Sequence, residues 1–179
     1  MAREIEILIE VSEPIASALR KLPRLHAHGV KETIDTYYTH EKLKQLRPDK
    51  DGQAFLTHKR DRFLPDGTWT HSDEQETPIE NTTNIQHILD ALGFTELVRI
   101  DNRKHTFTTD EYEVVLEDVK DLGVFLEVEA KHPSDNVAAE KAKIRVFIAT
   151  LGSELGAELN VGKPELMLRK KRTQRLYIN

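Results

Sequence analysis

The stretch Glu4-Ile5-Glu6-Ile7-Leu8-Ile9-Glu10-Val11 decides how this chain is read. Side chains of a strand point alternately to opposite faces, so the ribbon carries Ile5, Ile7, Ile9 and Val11 on one side. Glu4, Glu6 and Glu10 stand on the other. Either the acidic side is simply wet, or those carboxylates hold something.

The same pattern recurs along the chain. Glu74 and Glu76 share a face, as do Glu111, Glu113 and Glu117, and as do Glu127 and Glu129. Arg47, Lys59, Arg103 and Lys104 sit on other strand segments, and Val114, Leu116, Val124, Leu126 and Val128 fill opposite faces. About eight strands are expected, joined mostly by short turns and therefore antiparallel. They include residues 3–11 and 33–38. Turn signals fall at Pro48-Asp49-Lys50-Asp51-Gly52, Pro65-Asp66-Gly67, Thr109-Asp110 and Lys120-Asp121-Leu122-Gly123. Three amphipathic helices interrupt them. One follows Ser12-Glu13-Pro14 to about Lys21, one carries Ile85, Ile88, Leu89 and Leu92 and stops at Gly93, and one runs from about Ser134 to Gly152.

Two arrangements satisfy this pattern. The alternation alone favours an open sheet with one face on helices and the other in water, opposite charges pairing across strands. The alternative closes the sheet, turns the charged faces inward and lays the helices on the apolar outside. Carboxylates crowded in such a lumen destabilise one another unless a cation lies between them. Hard divalent ions such as Mg²⁺ or Mn²⁺ suit oxygen ligands, and basic groups in the same lumen call for an anion. Carboxylates, a metal and cations together fit a polyphosphate.

Bulk properties narrow the field. A chain of 179 residues without cysteine suits one domain, residues 1–179, and excludes disulfides, thiolate metal sites and cysteine nucleophiles. No stretch approaches the roughly 20 apolar residues of a membrane-spanning helix, no signal peptide precedes the first strand, and a cytoplasmic protein is expected. A net charge of −5 makes a nucleic-acid partner unexpected. The basic tail, about residues 169–179 with Arg169, Lys170, Lys171, Arg172 and Arg175, reads as a solvated terminus, or alternatively as a docking strip for phosphates. A homodimer is left open.

Several segments together resemble the CYTH family of triphosphate tunnel metalloenzymes, which includes class IV adenylyl cyclases, thiamine triphosphatases and inorganic triphosphatases. They are the opening E-I-E, D-T-Y-Y, L-R followed by L-T-H-K, E-Q-E, and above all L-E-D-V-K-D-L-G-V-F-L-E-V-E. The resemblance implies an α+β fold, an eight-stranded antiparallel β-barrel or tunnel with a charged lumen, open at both ends, with helices packed outside. It implies that Glu4, Glu6, Glu117, Glu127 and Glu129 bind one or two divalent ions, although aspartate is common where Glu117 stands. Arg47 and Lys59 match triphosphate-binding bases, and Glu74 and Glu76 match the middle acidic pair.

Three positions depart from the family pattern. Leu8 stands where E-x-E-x-K has lysine, the basic pair before the seventh strand reads Asn102 and Lys104, and Lys163 in G-K-P-E-L replaces a tyrosine. Lys104, Arg103 or Lys163 are candidates to replace the lost cations.

The leading expectation is a metal-dependent triphosphatase with Mg²⁺ or Mn²⁺ at the carboxylates. Arg47, Lys59, Arg103, Lys104 and Lys163, with Glu74 and Glu76, would bind substrate, and Glu117, Lys59 and Lys104 would do the chemistry. A class IV cyclase making cyclic AMP and a weakened polyphosphate-binding module are the alternatives. His26 and His28 read as ordinary loop histidines for want of a third ligand. Trp69 reads as a packing residue, and one of Tyr37 and Tyr38 is expected in the core. No phosphate-binding glycine loop or nucleophile elbow is present.

Overall fold

The opening ribbon is divided between two partners. In the computed structural model, which describes residues 2–39, 43–48, 53–152 and 155–176, β1 (Ala2–Glu4) pairs with β6 (Trp69–Ile79), whereas β2 (Glu6–Val11) pairs with β9 (Gly123–Ala130). Between them lie β3 (His26–Thr39), β4 (Leu43–Pro48), β5 (Ala54–Phe63), β7 (Thr95–Thr108) and β8 (Tyr112–Val119). All pairings are antiparallel, in the order β1-β6-β5-β4-β3-β7-β8-β9-β2. The two ends of that order are one continuous segment broken only at Ile5, whose carbonyl accepts from Ala130 N at 3.1 Å. The sheet therefore closes on itself through its first strand. Counting β1 and β2 as one gives the eight strands the sequence predicts.

Closure explains why β2 is buried on both faces from Glu6 to Ile9. Its outer residues Ile7, Ile9 and Val11, with Ile5 just before it, join Val114, Leu116, Leu126 and Val128. They pack under α1 (Glu13–Leu19) and α3 (Val137–Leu151) through Ala16, Leu19, Ile144, Ile148 and Leu151. An inner face of glutamates needs such an outer cover, because burial of apolar surface on the outside supplies the main stabilisation. Asn136 caps α3 by accepting from Ala139 N at 3.1 Å.

Helix α2 (Thr82–Ala91), capped by Asn81, sets Leu89 and Ile85 against Tyr38, Leu56, Ile79 and Phe94. Gly93 ends the segment with φ +85°, a left-handed conformation that only glycine adopts at low cost. The β8–β9 turn likewise needs positive φ at Asp121 (63°) and Gly123 (148°), and it carries the chain directly into Glu127 and Glu129.

Three features differ from the sequence reading. First, β3 begins at His26 rather than near residue 33, so His26 and His28 lie on a strand, and His28 Nε2 is 2.6 Å from Thr108 Oγ1. Second, the basic segment from Arg169 to Leu176 belongs to a fourth helix, α4 (Lys163–Leu176), whose apolar Leu166 and Met167 fold back on the barrel. Its mixed charge masked the periodicity, because few apolar residues mark its inner face. Third, the tunnel is filled at one end. Leu8, Tyr37, Val98, Ile100, Val119 and Phe125 meet Met167 there as an apolar floor. The turn expected at 49–52 lies outside the described residues.

Candidate active site

Above that floor the barrel encloses a cavity of about 560 Å³. Its lining includes Glu4, Glu6, Lys31, Lys59, Glu76, Lys104, Glu113, Glu127, Glu129 and Lys163. The pleat dictates this membership. On β8 the alternation that turns Val114 and Leu116 outward sends Glu113, Val115 and Glu117 inward, and on β9 it sends Glu127 and Glu129 inward.

Register then brings like charges together. Glu129 lies directly across from Glu6 on one side and Glu113 on the other, so β2, β9 and β8 carry an acidic row. Lys31 lies directly across from Lys104 on β3 and β7. Like charges facing each other across strands are destabilising, so each group calls for a counter-charge from elsewhere.

Within the acidic group, oxygens of Glu4, Glu6 and Glu129 all lie within 4.8 Å of one another. Lys59 reaches them from β5, contacting Glu4 and lying 3.2 Å from Glu6. Burial pushes the Glu6 carboxyl up to about 7, against the pull of Lys59. Burial, followed by the charges of Glu4, Glu6 and Glu127, pushes Glu129 up to about 9. One lysine does not satisfy three carboxylates. Three converging carboxylate oxygens are the donor set a hard divalent cation takes, so these residues fit the metal that the sequence implies.

A second group lies deeper. Glu117, fully buried, receives Lys104 at 2.9 Å on one oxygen and Lys163 on the other. Lys163 also lies 2.6 Å from Glu127. Burial alone would raise both acids. The neighbouring lysines outweigh it, holding Glu117 below its ordinary value and Glu127 at about 2. Burial would lower Lys163 in turn, but Glu117 and Glu127 outweigh it and hold the ammonium well above the usual lysine range.

Lys163 arrives by a specific route. Residues 158–160 lie between β2 and the start of β6. Glu158 bridges to Ile9, Leu159 N donates to the Leu8 carbonyl at 2.8 Å, and Asn160 Oδ1 accepts from Trp69 N at 2.6 Å. The chain then turns at Gly162 and sends the Lys163 side chain into the lumen from the first turn of α4. Leu8 is directly across from Glu127. The position that lacks a lysine on β2 thus faces the carboxylate that Lys163 neutralises.

The expected residues separate accordingly. Glu4, Glu6, Lys59, Lys104, Glu117, Glu127, Glu129 and Lys163 converge. Glu76 lines the cavity and accepts from Thr57 at 2.7 Å, and Glu74 faces Lys59 across the β5–β6 ladder. Arg103 is corrected: alternation places it on the outer face next to inward Lys104, and it is exposed. Arg47 pairs through its backbone with Phe55, and its side chain lies outside the described residues. Asn102 is buried and donates to Asp35 at 3.1 Å. Tyr37 lines the cavity floor while Tyr38 packs outside, and Trp69 is buried with its ring under the Lys141 ammonium.

Sequence reading missed Lys31, Asp61 and Glu113 as lining groups. Lys31 was hidden by the late start assigned to β3. Glu113 shares its face with Glu117 and was readable from that spacing.

Comparison with known proteins agrees with this architecture. PH1819 from Pyrococcus horikoshii superposes with a TM-score of 0.80 at 21% identity, covering 93% of this chain and 99% of that one. "Putative adenylyl cyclase HpAC1 from Hippeastrum", reported with a dominant triphosphatase activity, gives 0.61 at 15% identity, covering 91% and 93%. In sequence, "Putative adenylate cyclase MJ0240" of Methanocaldococcus jannaschii is 32% identical over 81 residues, a stretch that spans 45% of either chain. No helix of the described residues is long and apolar enough to cross a membrane. The model of the CYTH domain matches residues 2–156, so this chain belongs to the CYTH family, whose members are metal-dependent triphosphatases or cyclases.

Proposed function

We propose that this chain hydrolyses a triphosphate in the barrel cavity with the help of Mg²⁺ or Mn²⁺. The observation that carries the reading is the facing of an acidic row, Glu6–Glu129–Glu113, and a set of lysines, Lys31, Lys59, Lys104 and Lys163, within one 560 Å³ cavity. A divalent ion suits the acidic row, where Lys59 is shared between carboxylates, and the lysine ammonium groups that line the same cavity suit phosphate oxygens. A metal-bound phosphate chain meets both.

Glu4, Glu6 and Glu129 would hold the ion, which when bound neutralises charge on phosphate oxygens. The lysines clamp the chain and disperse the charge that develops as the bond between the terminal phosphorus and its bridging oxygen breaks. Little covalent chemistry is asked of the protein, and positioning with charge neutralisation does most of the work. Glu117 serves this by holding Lys104 and Lys163 in place. One of its oxygens accepts from Lys163 and the other lies 2.9 Å from the Lys104 ammonium as an ion pair, so Glu117 is a positioning residue rather than the group that orients the attacking water.

The direct test is release of phosphate from inorganic triphosphate, ATP and thiamine triphosphate with Mg²⁺ or Mn²⁺. Release well above that of a Glu6→Gln, Glu129→Gln double variant supports the reading, and release equal to it overturns the reading. The name of the Methanocaldococcus relative favours cyclase activity as a second reading. Cyclic AMP and pyrophosphate from ATP, in place of ADP and phosphate, would establish it.

A further inference from the structure

The two carboxylate groups of the cavity are not equally in need of metal. We propose that Lys163 is a resident cation standing in for a second divalent ion, so that the chain takes one ion, at Glu4, Glu6 and Glu129, and none at Glu117 and Glu127. This inference rests on the hydrolase reading of the same cavity.

Charge and geometry both lead there. Glu117 and Glu127 carry two negative charges, and Lys104 and Lys163 bring two positive ones within contact distance. That group is neutral as it stands. Glu4, Glu6 and Glu129 carry three negative charges when ionised, against the single ammonium of Lys59. Its deficit is the charge of one divalent ion. Space says the same. Lys163 Nζ touches an oxygen of each deeper carboxylate, and Lys104 Nζ holds the remaining oxygen of Glu117. An ion entering there would sit against two ammonium groups in a poorly screened interior.

Lys163 is also fixed in place. Asn160 binds the β5–β6 turn through Trp69 N and, at 2.8 Å, Gly67 O. Leu159 is tied to Leu8, and Met167 one turn later fills the barrel floor. These anchors fix the backbone at residue 163, and the side chain is held by its ion pairs to Glu117 and Glu127. Leu8 is directly across from Glu127 and brings no charge of its own to that carboxylate.

The experiment is a Mn²⁺ titration of the full chain followed by electron paramagnetic resonance, which counts bound ions and shows spin coupling between close pairs. One ion per chain with an uncoupled spectrum is expected. Glu117→Gln should change the affinity for that ion by less than about threefold, whereas Glu129→Gln should weaken it by about tenfold or more, the loss typical of altered metal surroundings. Lys163→Met, which removes the charge and keeps the length, should admit a second ion. Should that variant fail to fold, the wild-type count and the Glu117→Gln affinity decide. Two coupled ions in the wild type, a tenfold loss in Glu117→Gln, or a folded Lys163→Met that still takes one ion would overturn the inference. Two ions with phosphate release would leave the hydrolase reading intact, while no bound ion would remove both.

Discussion

The acidic group at Glu4, Glu6 and Glu129 and the deeper group at Glu117 and Glu127 are built from the same residue type on neighbouring strands. They differ in what answers their charge. At the deeper group two lysines engage the carboxylates, and both acids are held below their ordinary values. At the other a single lysine serves three carboxylates, and Glu6 and Glu129 are pushed up. On the proposed reading, the fold completes one site from its own side chains and leaves the other to be completed by a ligand.

Breaking the completed group should cost the most. Lys163→Met leaves two buried carboxylates with one lysine, and removing one partner of a buried pair typically destabilises by about 3–5 kcal/mol. Chemical denaturation should show a loss of that order, with hydrolysis falling as well. A smaller change in either quantity than Arg103→Ala produces would contradict the role given to Lys163.

Adding a lysine should hurt rather than help. Leu8→Lys places a second ammonium across from Glu127, where Lys163 already lies, and removes an apolar side chain from the floor at Phe125 and Met167. A stability loss of about 2–4 kcal/mol is expected from the lost packing and the unmet charge, with no gain in phosphate release. Raised activity would show that the site is decayed rather than rewired.

The incomplete group should be read out by pH. Burial, followed by neighbouring acids, raises the folded Glu129 to about 9, well above an unfolded glutamate. The folded state therefore binds more protons than the unfolded one between those values, and its stability falls as pH rises through the window. Metal-free protein should melt lower at pH 9 than at pH 6, by about 2–4 °C for each kcal/mol lost. Mg²⁺ or Mn²⁺ should remove most of that slope by binding the ionised carboxylates. Glu127, held at about 2 chiefly by Lys163, contributes the opposite trend, its stabilisation being lost only as pH falls from the unfolded glutamate value toward 2. Arg103→Ala should change least, within about 0.5 kcal/mol, because that side chain lies on the outer face.

Much of this was legible in the sequence. Alternation at Glu4–Val11 and Glu111–Glu129 assigned the inner and outer faces, and the E-x-E pairs found the carboxylates. Closure was legible only through the family resemblance, not in the alternation. It depends on the ribbon changing partners at Ile5, and no local pattern marks a change of partner. Lys163 was visible as a residue, but not its reach. Its neighbours Leu159 and Asn160 work through long-range contacts with Leu8 and Trp69 that leave no trace in spacing. Arg103 was misplaced because it sits beside Lys104, and in a strand adjacent residues face opposite ways.

On the reading proposed here, the barrel's inward charges converge on one cation and a phosphate chain. A crystal soaked with triphosphate and Mn²⁺, read for anomalous scattering, tests it most directly. A Mn²⁺ peak is expected among Glu4, Glu6 and Glu129, with phosphate density against Lys59, Lys104 and Lys163. Saturating ligand with Mn²⁺ only on the outer surface, and the cavity free of phosphate, would contradict it.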